Sequence, residues 1–296
     1  MPSPQLERIK AEALAFAKAS GAASGVFDVA AYRGALRETE YELPEKTEVR
    51  EVQIGDLTCF WVRAPGAGAG RRILYMHGGG LVIGGFHSHK GVAAWLSHYS
   101  GCEVLFPEFR LAPEHPYPAA LDDAAAALRF VCANSMDGAR AGTVVVAGDS
   151  AGAGVMMAAL LASETAHRSK VIGAIMLCPM LNWHPQQSPA LRNSEFRRQM
   201  ADAYAAGRDT MDPTISAQYG DWSEMPPLFI QATFGDEFYP DAKAAFDMAV
   251  AAGRSVLFDA WSGMPHVWHR FAPYLPAASE ALARAGAFAR TEFSQS

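Results

Sequence analysis

A serine between two glycines is the residue in this sequence best placed to act as a nucleophile. Ser150 is the centre of Gly-Asp-Ser-Ala-Gly at 148–152, which follows the apolar run Thr143–Ala147 and opens a stretch of small residues. This order is typical of a strained strand-to-helix turn that exposes the serine hydroxyl. The helix N-terminus behind the serine favours developing negative charge. The alternative is a glycine-rich turn with an idle serine, and the flanking strand and helix patterns favour the nucleophile.

A glycine-rich segment upstream supplies a second part of the same chemistry. The sequence His-Gly-Gly-Gly at 77–80 directly follows the apolar run Ile73–Met76. Acyl transfer builds negative charge on a carbonyl oxygen, and each preorganised backbone N–H that stabilises it is worth about 100- to 1,000-fold in rate. Glycines let the backbone approach that oxygen closely. We therefore predict Gly79, Gly80 and Ala151 as N–H donors, although a triple glycine alone is more often a flexible turn.

The general base must be one of nine histidines. His266 lies in the loop 263–268, just after the last strand-like run, Ser255–Ala260. Open parallel sheets keep their active sites at the carboxyl ends of the strands, so this loop should lie beside the serine. His269 is the nearest competitor, but it lies deeper in a helical stretch. His266 is the predicted base.

The other histidines do not complete a metal site. His87 and His89 are spaced like a pair of ligands, but no further His, Cys or Asp cluster accompanies them. We therefore predict neither a metal ion nor a cofactor. Six histidines are expected at the surface or against a lid: His87, His89, His98, His115, His167 and His184.

The acid that orients the base should follow the apolar run Leu228–Ala232 and precede the histidine in the chain. Gly-Asp-Glu at 235–237 occupies that loop, and either Asp236 or Glu237 could hold the imidazole and stabilise its cationic form. The residues alone leave both open. Three other aspartates are expected to cap helices or support the site: Asp122, Asp123 and Asp149.

The elements that position these residues alternate between short apolar runs and helix-like stretches. The strand-like runs are Ile73–Met76, Val104–Phe106, Val144–Ala147, Val171–Leu177, Leu228–Ala232 and Ser255–Ala260. The helix-like stretches are 89–99, 119–133, 151–166, 241–252 and 278–292. Runs that are apolar on both faces and separated by helices predict an α/β fold with a mostly parallel central sheet flanked by helices.

Two further regions lie outside this alternation. Residues 1–46 contain two helical patterns, the second capped by Asp28, and Thr47–Ile54 and Leu57–Val62 form a predicted hairpin. The polar stretch of about 183–222 is too long for a plain loop. We predict cap helices at 1–46 and a catalytic domain at 47–296, with residues 183–222 inserted as a small helical cap.

Composition excludes several other classes of function. Half of the 296 residues are hydrophobic, and the net charge is −6 with scattered basic residues, so no nucleic-acid partner is expected. No apolar run has the roughly 20 residues that a membrane helix needs. Charged residues in the first 12 positions exclude a secretory signal, and the four widely spaced cysteines fit reduced thiols, so we predict a cytoplasmic protein.

Taken in order, these motifs resemble the bacterial hormone-sensitive-lipase-like esterases with Gly-Asp-Ser-Ala-Gly at the serine. The resemblance covers about residues 70–290 and includes the segments 77–80, 110–120, 148–152 and 263–266. It implies an α/β-hydrolase fold with a cap, cleavage of short- to medium-chain acyl esters without a cofactor, and an oxyanion hole formed by Gly79, Gly80 and Ala151. Because this family often dimerises through an edge strand, a homodimer is also compatible.

The resemblance also bears on the choice of acid. Family members usually have Asp-Pro-Leu or Glu-Val-Leu, followed by another acidic residue four or five positions later. Aligned without gaps from Ile230, the acid falls on Asp236 and the following acidic residue on Asp241, whereas a shift of one gives Glu237. We predict Asp236. The chain departs from the family pattern in this loop and at Glu108-Phe109, where Asp-Tyr is common.

These expectations combine into a serine esterase with the triad Ser150, His266 and Asp236, acting on a small-molecule ester through an acyl-enzyme. Lactone, amide and carbamate hydrolases use the same apparatus. A ligand-binding protein on the same scaffold, as in the plant gibberellin receptors, would be signalled by loss of the nucleophile or the base, and both are present. Dehalogenases and epoxide hydrolases of this fold need a carboxylate where Ser150 stands.

Overall fold

The computed structural model describes residues 3–36, 42–138 and 142–296. Eight strands form one sheet in the order β1-β2-β4-β3-β5-β6-β7-β8. The pairs β1–β2 and β2–β4 are antiparallel. The remaining pairs, β4–β3, β3–β5, β5–β6, β6–β7 and β7–β8, are parallel. The strands are β1 Glu48–Ile54, β2 Leu57–Arg63, β3 Gly68–Met76, β4 Cys102–Pro107, β5 Val144–Asp149, β6 Val171–Leu177, β7 Leu228–Phe234 and β8 Val256–Ser262.

Helices cover both faces of this sheet. They are α1 Pro4–Ala19, α2 Val29–Ala35, α3 Phe86–Ser100, α4 Ala119–Ala133, α5 Ala151–Ala162, α6 Thr165–Arg168, α7 Pro189–Arg192, α8 Glu195–Ala205, α9 Tyr239–Ala251 and α10 Pro276–Gln295. One hydrophobic cluster joins the sheet to α4, α5 and α9, and a second joins it to α3 and α10. The predicted α/β fold with a mostly parallel sheet is confirmed.

The N-terminal hairpin follows directly from its sequence. β1 and β2 pair from Glu48 opposite Arg63 to Ile54 opposite Leu57, so only two residues form the turn. Gly55, the first of them, has φ +62°, a left-handed conformation that glycine adopts without the penalty of a Cβ. The prediction starts β1 one residue early, at Thr47, and ends β2 one residue early, at Val62, and the other two strand ends agree.

One predicted helix was wrong in its extent. The stretch 151–166 is not continuous, because α5 ends at Ala162 and a separate short helix begins at Thr165. Ser163 is extended (ψ 145°), and its hydroxyl donates a 2.6 Å hydrogen bond to the carbonyl of Ala159. Serine competes with the helical backbone for such acceptors, and here that competition ends the helix.

The N-terminal helices pack against the inserted segment. Phe27 and Tyr32 lie edge-on to Phe196 of α8, with ring centroids 5.4 Å and 5.0 Å apart. The stretch 183–222 contains α7, α8 and a 3₁₀ turn at Ala217–Tyr219. We propose that these helices together form the cap expected for 1–46 and 183–222. Residues 1–2 and 37–41 of that prediction lie outside the described residues.

The carboxyl ends of the parallel strands form one edge of the sheet. β3, β5, β7 and β8 end there, and the segments that follow them carry the predicted site residues, which are Gly79 and Gly80, Ser150, Asp236 and His266 respectively. None of the helices in the described ranges is both long and apolar enough to cross a membrane.

Candidate active site

Ser150 lies on a strained turn between β5 and α5. Its backbone has φ +50° and ψ −126°, outside the allowed helical and extended regions for an L-residue. The turn is held by its own amide, which donates to the Leu177 carbonyl at 2.9 Å, and by its carbonyl, which accepts from Met180 N–H at 3.0 Å. Such a turn places the hydroxyl at the carboxyl edge of the sheet.

The two glycines beside the serine are required by close packing. A Cβ on Gly148 would lie 2.8 Å from the Ala153 amide nitrogen, and a Cβ on Gly152 would lie 2.3 Å from the carbonyl oxygens of Met76 and His77. Real Cβ atoms do not approach backbone that closely, so any larger residue would push α5 away from the loop after β3.

His266 connects the serine to an acid. Its Nε2 lies 2.9 Å from Ser150 Oγ, and its Nδ1 lies 2.7 Å from an Asp236 carboxylate oxygen. The three residues follow β5, β7 and β8. The structure therefore brings together the predicted nucleophile, base and acid in one hydrogen-bonded line.

The two neighbouring acidic residues of this loop point to different partners. Asp236 is almost fully buried, and its second oxygen accepts a 3.1 Å hydrogen bond from Phe238 N–H. Glu237 is 55% exposed and forms an ion pair with Arg197 of α8. Asp236, and not Glu237, contacts the imidazole.

Electrostatics within the line favour a cationic histidine next to a carboxylate. Burial alone would lower the pKa of His266, but the Asp236 carboxylate outweighs burial and holds that pKa above its usual value. Burial would likewise raise the pKa of Asp236, yet His266 and the Phe238 amide hold it below its usual value. Each group thus stabilises the charged form of the other.

The glycine loop after β3 lies against the serine turn. Gly78 N–H donates a 2.9 Å hydrogen bond to the carboxylate of Asp149. Gly79 and Gly80 have φ +116° and +64°, and a Cβ on Gly80 would lie 2.2 Å from Met200 Sδ of α8. Among the described residues, none accepts a hydrogen bond from the N–H of Gly79, Gly80 or Ala151. The three predicted donors are thus available to a ligand.

Comparison with known proteins agrees with this geometry. Residues 73–270 match a family described by its alpha/beta hydrolase fold. The chain belongs to this family. An acetyl-hydrolase of Streptomyces hygroscopicus is 38% identical over 249 residues, which cover 81% of this chain and 82% of that protein. The carboxylesterase NlhH of Mycobacterium tuberculosis is 33% identical over 234 residues, covering 72% of this chain and 70% of NlhH.

A solved structure gives the same result over the whole length. An esterase from the bacterial hormone-sensitive lipase family superposes with a TM-score of 0.88 at 31% identity, covering 99% of each chain. The resemblance inferred from the sequence motifs is confirmed, and the chain is a carboxylesterase of the α/β-hydrolase superfamily.

Beneath the serine, the esterase contains a buried polar network that the sequence did not predict. Asp149 accepts a 2.6 Å hydrogen bond from the Tyr75 hydroxyl and lies 3.5 Å from His89 Nε2. Burial would raise the pKa of Asp149, but His89 and Tyr75 outweigh burial and lower it. The expectation that His89 lies at the surface or against a lid was wrong, because this histidine is buried against the carboxylate.

His269, the competing base, lies elsewhere in the esterase. It is buried in the 3₁₀ turn Trp268–Phe271, where its Nε2 lies 3.0 Å from the side-chain oxygen of Gln231. Burial lowers the pKa of His269 to about 3, so this ring is neutral. The histidine that bonds Ser150 Oγ is His266.

Cys178, which follows β6, is a site neighbour that sequence reasoning passed over as one of four buried thiols. All four cysteines are free and buried. Cys178 Sγ, an Asp236 oxygen and a His266 ring nitrogen lie within 4.8 Å of one another, the one group in the described ranges with the spacing of a metal site. Because the histidine and the carboxylate already bond each other, a cation there would compete with that hydrogen bond. The position of Cys178 directly after a parallel strand was the sequence signal that could have placed this thiol near the site.

Proposed function

We propose that this esterase hydrolyses short- to medium-chain acyl esters through Ser150 as nucleophile, His266 as general base and Asp236 as the orienting acid. The observation that carries the proposal is the unbroken line of hydrogen bonds, 2.9 Å from serine to histidine and 2.7 Å from histidine to aspartate. This arrangement satisfies the geometric requirement for an activated serine, whatever the fold.

In the first half-reaction, His266 Nε2 takes the Ser150 proton while Oγ attacks the ester carbonyl. The carbonyl oxygen becomes an oxyanion, which the N–H groups of Gly79, Gly80 and Ala151 stabilise. The tetrahedral intermediate then collapses, the bond to the alcohol oxygen breaks, and His266 donates its proton to that oxygen. The acyl group remains on Ser150.

In the second half-reaction, water replaces the alcohol. His266 takes a proton from water as its oxygen attacks the acyl carbon, and the proton returns to Ser150 Oγ as the acyl bond breaks. A carboxylic acid leaves and the free enzyme is restored. Asp236 keeps Nδ1 protonated throughout, so that Nε2 faces the serine.

The size of the cap supports short acyl groups. The inserted segment contributes two short α-helices, of 11 and four residues, and one 3₁₀ turn, and the buried side chain of Met200 lies against Gly80. Each buried methylene adds about 0.8 kcal/mol to binding, so the preference must end where the pocket ends. The name of the acetyl-hydrolase relative agrees with a small acyl group.

Two experiments test this function. Rates on nitrophenyl esters from acetyl to palmitoyl should peak at or below octanoyl, and efficient cleavage of palmitoyl esters would contradict the proposed substrate class. Ser150→Ala should abolish turnover and leave the melting temperature nearly unchanged, since only Oγ is removed. Hydrolysis within tenfold of the wild type by pure Ser150→Ala protein would exclude this nucleophile.

We also propose a cytoplasmic esterase that can form a homodimer. Four buried free thiols fit a reducing compartment. β8 is an edge strand that carries the 57% exposed Leu257, a surface suited to pairing with a second copy. Cell fractionation tests the first statement, and light scattering tests the second.

A further inference from the structure

The turn that carries the proposed oxyanion donors is strained and needs support. Three consecutive residues, Gly79, Gly80 and Leu81, have positive φ angles, and the last of them, at +57°, is not a glycine. The Gly79 carbonyl closes the turn by accepting from Val82 N–H at 3.2 Å and Ile83 N–H at 3.1 Å. A strained backbone of this kind persists only where its surroundings over-determine it.

One guanidinium supplies much of that support. Arg33 of α2 donates from Nε to the Val82 carbonyl at 2.9 Å and from Nη2 to the Ala112 carbonyl at 3.0 Å. Both terminal nitrogens also reach the Glu114 carboxylate at 2.8 Å. The Leu81 carbonyl accepts from Ala112 N–H at 2.9 Å, so the two segments held by Arg33 are already bonded to each other.

The carbonyl contacts of Arg33 matter more than its ion pair. The side chains of Arg33 and Glu114 are 36% and 54% exposed, and exposed ion pairs are weak and screened by salt. The bonds to the Val82 and Ala112 carbonyls are half-buried and fix backbone directly. The planar guanidinium presents its donors in a fixed fork that sets the directions of both carbonyls, whereas an ammonium group is a point charge with rotatable donors on a flexible stem.

The helix that bears Arg33 is itself fixed to the inserted segment 183–222. Tyr32 packs edge-on against Phe196 of α8 at 5.0 Å, and the Phe16 ring of α1 lies 5.6 Å from Tyr32. The position of Arg33 therefore depends on the N-terminal helices being packed against the inserted segment.

We propose that Arg33 is a positioning residue for catalysis, which holds the Val82 carbonyl and thereby orients the Gly79 and Gly80 N–H groups. It contacts no reacting atom and acts through the turn 79–83. Turnover then requires docked N-terminal helices, because only in that state does the guanidinium reach the turn. This inference rests on the proposed function, since it assumes that these N–H groups stabilise an oxyanion.

The test compares Arg33→Met with Arg8→Met as a matched control. Arg8 lies on α1, is exposed, pairs with Glu12 four residues later and lies 5.6 Å from the centre of the Tyr274 ring, so its loss changes the charge of the same region without touching the turn 79–83. The measurements are kcat and KM on nitrophenyl acetate, the melting temperature, and the inhibition constant of a short-chain trifluoromethyl ketone. The adduct of that ketone with serine places an oxyanion where the donors should act.

Arg33→Met should lower kcat by roughly tenfold or more and weaken the ketone by a similar factor, with KM changed less than about threefold, because misplaced donors affect the charged intermediate more than the substrate. Arg8→Met should match the wild type. A kcat and ketone affinity within about threefold of Arg8→Met would overturn the inference, as would a rise in KM alone.

Two further variants keep the inference falsifiable if Arg33→Met unfolds. Glu114→Gln keeps both carbonyl bonds and should retain kcat within about threefold, whereas Arg33→Lys should lose activity despite its charge. Full activity in Arg33→Lys would overturn the role of the fork. Failure of the proposed function would look different: the wild type would not cleave esters, or Ser150→Ala would still do so.

Discussion

Three buried aspartates of this esterase lie in contrasting surroundings. Asp236 and Asp149 each face a histidine, and the pKa of each lies below its usual value. Asp241, at the first turn of α9, faces backbone instead: within the described ranges it accepts hydrogen bonds from Leu181 N–H at 2.7 Å and Asn182 N–H at 3.1 Å. Burial and the nearby Asp236 raise its pKa to about 7. Burial alone therefore does not decide whether a carboxylate is charged, and its partners do.

The sharpest test of this contrast is at Asp236. Asp236→Asn should reduce kcat on the order of 10,000-fold, by analogy with the serine proteases, because an amide cannot hold the imidazole in the correct tautomer. Glu237→Gln is the matched control and should cost less than about threefold, since Glu237 faces Arg197. If Glu237→Gln were the inactive variant, the assignment of the acid would be wrong by one residue.

The dependence of wild-type kcat/KM on pH should show the effect of the contact between Asp236 and His266. The folded pKa of His266 is raised, so the ring remains protonated to a higher pH than a free histidine, whose pKa is about 6.5. Protonated His266 cannot act as a base, and kcat/KM should fall about tenfold per pH unit below a midpoint above 6.5. A profile that stays flat from pH 5 to 8 in folded protein would contradict the mechanism.

A smaller effect is expected at Asp149. Asp149→Ala leaves the buried Gly78 N–H and Tyr75 hydroxyl without an acceptor, which costs about 1–3 kcal/mol for each donor and frees the loop that leads to Gly79. We expect kcat to fall at least about tenfold and the melting temperature to drop. Tyr75→Phe keeps the loop bond and should retain kcat within about threefold. Equal losses in the two variants would show that the loop bond is unimportant.

The smallest effect on activity is expected at Asp241. Because its pKa is raised, whereas those of Asp236 and Asp149 are lowered, its ionisation makes the folded state less stable instead of more stable. Its folded pKa of about 7 exceeds the usual 3.8, so the folded state binds the proton more tightly than the unfolded state does. The wild type should therefore lose stability as pH rises from about 4 to 7, by at most about 4 kcal/mol from this group. Asp241→Asn, which mimics the protonated acid, should flatten that decline and change kcat less than about twofold. Parallel stability curves for the two proteins would refute this account.

The sequence was sufficient for the parts of the site that follow strands. Ser150 and His266 could be selected because each comes after an apolar run, and parallel strands bring their carboxyl ends to one edge. The choice between Asp236 and Glu237 could not be derived from the residues. It depends on the ion pair between Glu237 and Arg197 of α8, and on the backbone turn at Gly235 (φ +88°), which directs the two side chains. The family alignment favoured Asp236, and so did its shorter side chain, which needs less ordering than that of a glutamate.

The buried network escaped prediction for a related reason. His89 lies between Ser88 and Lys90, a polar context that suggests the surface, while the carboxylate that it contacts is 60 positions later in the chain. The same limit applies to Arg33, whose carbonyl partners are 49 and 79 positions away. Local pattern identifies elements, and partners at long range decide which polar side chains are buried.

The order of the strands also determines when the esterase becomes competent. His266 is 116 positions after Ser150 and follows β8, which pairs only with β7 in the part of the chain that the structure describes and is the last strand there. During synthesis, the serine turn can form well before the histidine has been translated, so the nascent chain has no base. In the finished protein, an edge strand is bonded on one side only and opens at lower free energy than the centre of the sheet. On heating, we therefore expect hydrolysis to be lost when β8 detaches, before the central strands separate.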